Sequence, residues 1–108
     1  MLTEFTVVQE AGDLRARGTL VHCRDGLGLV LAVVADAALD KYFRKTGLTT
    51  AQRTRLVETN LKPISEIISA KYAAGESSTY ERNGRAYPLV IVKYADLLTH
   101  GVKLETAA

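Results

Sequence analysis

Apolar residues along this chain keep two periods, and the switches between them divide it into three parts. In residues 2–10, Leu2, Phe5, Val7 and Val8 are mixed with Thr and Glu, which favours a strand. Ala11-Gly12-Asp13 reads as a turn. A second strand is expected over residues 14–23, with Leu14, Ala16, Leu20 and Val21 apolar and Arg15 and Arg17 on the other face. Gly18 marks a bulge or frayed point within it. Asp25-Gly26-Leu27-Gly28 is a turn signal, and the β-branched run over 29–35 predicts a strand covered on both faces or a central one. The first third therefore predicts a three-stranded antiparallel meander.

The period then becomes helical. Asp36 is positioned to cap a short helix over 37–45, with Leu39, Tyr42 and Phe43 inward, Lys41, Arg44 and Lys45 outward, and Gly47 ending it. Residues 48–75 form one amphipathic unit. Thr49 is a good N-cap and Gln52, three residues on, completes a capping box. Leu56, Val57, Leu61, Ile64, Ile67, Ile68 and Tyr72 make one apolar stripe, and Gly75 supplies the left-handed stop. Pro63 removes a donor and clashes with the carbonyl of Thr59, so the unit is either a kinked helix or two helices meeting near 60–62. The unbroken stripe favours the kink.

The last third returns to period two. Residues 76–82, Asn83-Gly84 and residues 85–94 predict a β-hairpin, because Asn-Gly suits a type I′ turn with positive φ at its two central residues. Pro88 belongs at a ladder gap or an edge. Asp96 can cap a final helical turn over 97–100, closed by Gly101, with 102–108 as a loose tail. The element order β-β-β-α-α-β-β-α gives an α+β fold: two layers, an antiparallel sheet of about five strands, and helices on one face.

Composition changes this picture little. At 108 residues, 47% hydrophobic and 24% charged, the chain predicts one domain over 1–101. The single cysteine, Cys23, allows no internal disulfide and suits a cytoplasmic setting. The longest apolar run, 27–35, is far short of a membrane helix, and the first residues carry no basic, apolar leader pattern. The net charge of +2 is uneven: −1 over 1–35, +3 over 36–75 and zero over 76–108.

Candidate chemistry is sparse. His22 and Cys23 are strand neighbours that point to opposite faces, so they form no nucleophile–base pair. Two histidines and one cysteine do not make a structural zinc site. His100 suits a helix end, Asp36 a cap, and neither phosphate-loop nor dinucleotide patterns occur. The reading is of no catalytic residue, no cofactor and no metal; catalysis would need His22 or His100 of one chain to meet Cys23 or Asp96 of another.

Two groups could carry an interaction. Tyr80, Tyr87 and Tyr94 sit on the predicted hairpin, with Tyr80 and Tyr87 directly opposed across its turn. Lys41, Arg44, Lys45, Arg53, Arg55 and Lys62 would form a nucleic-acid surface if they shared one outer face. The favoured expectation is a non-enzymatic accessory domain that self-associates as a homo-oligomer or binds another protein, without a membrane role. Nucleic-acid binding is the alternative.

Three segments resemble a known family. They are LVHCRDGLGLVLAVVADAALDKYF, then ISEIISAKYAAG with Lys71 and Tyr72, then LVIVKYADL with Asp96. This pattern, over about three-quarters of the chain, is similar to small bacterial proteins grouped as domain of unknown function 1488. The N-terminal strand and the Asn-Gly hairpin extend beyond it. The resemblance implies a two-layer α+β fold and a bacterial cytosolic setting, and no activity.

Overall fold

The computed structural model describes residues 1–9 and 13–99. The ends of several expected elements (Glu10, the turn residues Ala11 and Gly12, His100, Gly101 and the tail 102–108) lie outside the described residues. The elements are β1 (Leu2–Val8), α1 (Asp13–Arg17), β2 (Gly18–Asp25), β3 (Gly28–Ala35), α2 (Asp36–Phe43), α3 (Thr50–Thr59), α4 (Leu61–Ala73), β4 (Ser78–Arg82), β5 (Arg85–Val92) and α5 (Tyr94–Thr99). The fold is α+β, with a five-stranded sheet in the order β1-β2-β3-β5-β4.

The meander forms as expected, β1 on β2 and β2 on β3, all antiparallel. The sheet is nevertheless mixed, because β5 lies parallel to β3, pairing Leu31 with Leu89 and Val34 with Val92. Parallel neighbours need a long crossover, and α2 to α4 supply it. The β4–β5 hairpin thus enters with its second strand inward and leaves β4 at the edge. A strand so placed reads as continuously apolar, which Leu89-Val90-Ile91-Val92 does.

The expected second strand over 14–23 is corrected. Residues Asp13–Arg17 are helical, and the strand begins at Gly18. Leu14-Arg15-Ala16-Arg17 is made of good helix formers, and this one turn buries Leu14 against Leu20, Leu31, Val33 and Leu89. That surface is the sheet face opposite the main helices, so not every helix lies on one face. Gly18 is neither bulge nor frayed point: it pairs regularly with Ala35 and sits against the Val34 carbonyl.

The main core lies on the other face. Val21, Cys23, Val30, Ala32, Val34, Val90 and Val92 pack against Leu39 of α2, Val57 of α3, Ile64, Ile67 and Ile68 of α4 and Leu97 of α5. β3 contributes alternate residues to both faces and is buried from Val30 to Val34, as a central strand must be.

The helix ends hold two further corrections. α2 starts one residue early, with Ala35 at the N-cap and no side-chain cap, so Asp36 does not cap it. Its C-cap is Arg44, left-handed at φ 53°, ahead of Gly47. The long unit is two helices meeting at Asn60 rather than one kinked helix. Asn60 is buried and donates Nδ2 to the Leu56 carbonyl at 2.7 Å, filling the break that Pro63 enforces. The capping box is present: Thr49 N donates to Gln52 Oε1 at 2.8 Å and Gln52 N to Thr49 Oγ1 at 3.1 Å. Gly75 closes a Schellman motif, with Glu76 N on Lys71 O at 2.9 Å and Gly75 N on Tyr72 O at 3.1 Å.

Candidate functional site

The type I′ turn forms as the sequence predicts. Asn83 and Gly84 have φ of 52° and 76°, Arg82 faces Arg85, and Tyr80 faces Tyr87. Tyr94 does not join them. It opens α5 because Asp96, third in that helix, reaches back to accept from Lys93 N at 2.7 Å. Tyr94 packs on the helix-side core, with Lys41 Nζ 4.6 Å from its ring centroid. The expected tyrosine trio is therefore a pair on one sheet face and a single ring on the other.

Tyr80 and Tyr87 border the smaller apolar cluster. Val8, Leu29 and Ile91 are likewise half-buried around it, and among the described residues α1 covers the end near Gly18. The two hairpin tips, Gly26-Leu27 and Asn83-Gly84, lie at the opposite end of the sheet, since β3 and β5 run parallel. Between them a groove of about 590 Å³ is lined by Arg24, Leu27, Leu29, Arg85, Tyr87 and Pro88 among others. Leu27 at the tip is 97% exposed. Arg24 lies 3.6 Å from Glu4 and 3.4 Å from the Leu27 carbonyl. This half-covered face is continuous with the exposed strand β4. Sequence reasoning named its tyrosines and missed Leu29, Ile91, Arg24 and Arg85, because which residues share a face depends on the pairing of β5 with β3.

The six basic residues are not one set. Arg53 is held within the molecule: Nε and Nη2 bond Asp40 at 3.0 and 2.8 Å, and Asp36 lies 3.6 Å away. The Asp40 contact raises its already high pKa. Arg55, two residues on, points about 200° around α3 from Arg53. Lys41, Arg44 and Lys45 do come together, around a groove of about 540 Å³ that Asp40 shares. Lys62 is exposed at the start of α4.

Lys71, which sequence reasoning singled out only through the family resemblance, and Asp96, which it read as a helix cap, form one constellation. Lys71 is 8% exposed, and its Nζ donates to Asp96 Oδ2 at 2.6 Å and to the Ile91 carbonyl at 2.8 Å. Its signal was a lysine on the apolar stripe, four residues after Ile67 and three after Ile68. A charge there requires a carboxylate partner.

Cys23 is buried, with Sγ 3.6 Å from the Val30 carbonyl, and burial pushes its thiol up to about 11 from 9.0. Its neighbour His22 belongs to the other sheet face, as expected. A thiol raised that far is almost wholly protonated at neutral pH and therefore a poor nucleophile. A colorimetric disulfide reagent is therefore expected to label folded protein only as fast as the protein opens, and denatured protein at once. Rapid labelling of the fold would refute the burial. Asp25, at the end of β2, accepts from Tyr72 Oη at 2.7 Å; that bond and then the Met1 amino group lower its pKa, and the same bond raises that of Tyr72.

Among the described residues no three His, Cys, Asp or Glu side chains are placed to hold a metal ion, and no helix is long and apolar enough to cross a membrane. Comparison with known proteins found no matching family model and no significant similarity to a curated protein or a solved structure.

Proposed function

We propose that this chain is a non-enzymatic interaction domain of the bacterial cytoplasm that associates with copies of itself. The observation that carries the reading is the half-covered sheet face, where Leu29, Tyr80, Tyr87 and Ile91 surround a buried apolar cluster next to an uncovered edge strand. Tyrosine is among the residues enriched at interface hot spots. We also propose kinship with domain of unknown function 1488; in its support, Lys71 and Asp96, from two of the three similar segments, meet in one ion pair.

Light scattering coupled to size exclusion tests the reading on nucleic-acid-free protein at low and high salt. A dimer or larger species at both salts is expected, because apolar contact is not screened. A monomer at every concentration would sink it. Nucleic-acid binding is the second reading, favoured by the shared groove of Lys41, Arg44 and Lys45. It predicts retention of DNA or RNA that weakens steeply with salt.

A further inference from the structure

We propose that β4 pairs with β4 of a second copy, antiparallel, about a two-fold axis through Tyr80, joining two sheets of five strands into one of ten. The proposal rests on the self-association reading and deepens it.

The two edges of the sheet differ. β1 carries a bulge: Thr3 pairs Arg24 and Thr6 pairs His22, and Glu4 within it has φ 56°. A bulge breaks the row of outward amides and protects an edge. β4 has no bulge and no proline, and four of its five residues are exposed.

The hairpin fixes which amides are available. Arg82 and Arg85 close a two-residue turn, so they are a hydrogen-bonded pair, and such pairs alternate along the ladder. Tyr80 and Ser78 then bond to β5, while Thr79 and Glu81 aim N–H and C=O outward. Pro88 agrees with this phase. It faces Thr79, a position where its missing N–H breaks no bond to β4.

Outward residues must meet outward residues, which leaves three two-fold registers within the strand. An axis through Glu81 sets two carboxylates opposite each other. An axis through Thr79 pairs only that residue among the strand's outward positions. An axis through Tyr80 pairs Thr79 with Glu81 of the second copy twice over, satisfying all outward groups of the strand. It also sets Ser78 opposite Arg82, so no like charges face each other. The two Tyr80 rings meet as a non-hydrogen-bonded pair, the closer kind, with Tyr87 of each copy behind. The self-complementarity is what a two-fold interface requires.

Two variants test this. Thr79→Pro removes an outward donor and leaves the intramolecular ladder intact. It is expected to turn a wild-type dimer into a monomer with an unchanged circular dichroism spectrum. Tyr80→Cys places two thiols at a Cα separation of about 4.5 Å, within disulfide range. Mild oxidation is expected to cross-link it, with native Cys23 buried and not competing. Ser78→Cys, about 14 Å from its own copy in this register, is expected to stay free. A wild-type monomer overturns both this proposal and the self-association reading. A dimer that persists in Thr79→Pro, or a Tyr80→Cys dimer that does not cross-link, overturns the β4 edge alone. Preferential cross-linking of Thr79→Cys overturns the register. Should Thr79→Pro fail to fold, the cysteine variants still decide.

Discussion

Gly18→Ala is expected to destabilise this protein by about 3 kcal/mol or more, the upper part of the range for forcing atoms into a packed core. A Cβ at Gly18 would lie 2.2 Å from the Val34 carbonyl oxygen and 2.8 Å from both Val34 C and Val33 Cγ1. Two of those atoms are backbone of the central strand, so no rotamer change relieves the clash. β2 would have to move off β3, and the paired residues Thr19–Val34 and Leu20–Val33 would move with it. A domain of this size has about 5–15 kcal/mol in all, so a third or more of its stability is at stake. Melting temperature should fall on the order of 10 °C or more. Gly28→Ala is the control. Its Cβ would meet only the Asp25 carbonyl, at 3.4 Å, and its φ is not positive. Urea unfolding of the two variants side by side decides the matter: equal midpoints would show that the strands yield to the methyl group.

Gly18 also marks the boundary between what the sequence displays and what it hides. Local devices were legible. Thr49 and Gln52 cap a helix, Gly75 stops one, and Asn83-Gly84 turns a hairpin that sets Tyr80 against Tyr87, because each signal lies within a few residues and the backbone obeys it without tertiary help. The stripe through Val57, Ile64, Ile67 and Ile68 likewise found the core. Leu14-Arg15-Ala16-Arg17 could not be read this way. Four residues with two apolar positions fit a strand and a helical turn equally, and the choice was made by a surface that exists only after β2, β3 and β5 have assembled. The parallel pairing of β3 with β5 is equally non-local. A hairpin with a strongly apolar second strand says that this strand goes inward, and does not say which neighbour it takes.

The candidate site follows the same division. Tyr80 and Tyr87 were found because one turn places them. Tyr94 was misplaced because Asp96 starts α5 three residues earlier than a cap at its own position would. Arg53 looked like an outward cation until α3 packed beside α2 and met Asp36 and Asp40, one turn apart on the same helix face. A charge count along the sequence cannot separate a cation that faces solvent from one already paired.

The Lys71–Asp96 pair provides the second large effect. It ties three elements at one corner: the last turn of α4 through Lys71, the end of β5 through the Ile91 carbonyl, and α5 through Asp96, which also holds Lys93 N. Removing one member of a buried pair strands the other, at about 3–5 kcal/mol. Asp96 retains 20% side-chain exposure and Lys71 10%, so water can partly replace a lost partner and the lower end applies. Asp96→Ala is expected to cost about 3 kcal/mol, because it leaves the ammonium with one carbonyl and frees Lys93 N as well. Lys71→Met should cost less, since the side chain still fills the apolar stripe between Ile67, Ile68 and the sheet. The double variant is the discriminating measurement. Once the lysine is gone, losing Asp96 strands no charge, so the double cost should fall short of the sum by about 1–2 kcal/mol. Strictly additive costs in urea unfolding would mean that each residue acts through its own packing and cap, and that the ion pair does not hold this corner together. Coupling would make Lys71 a structural member of the core, tying α4 to the strand and helix that follow the crossover.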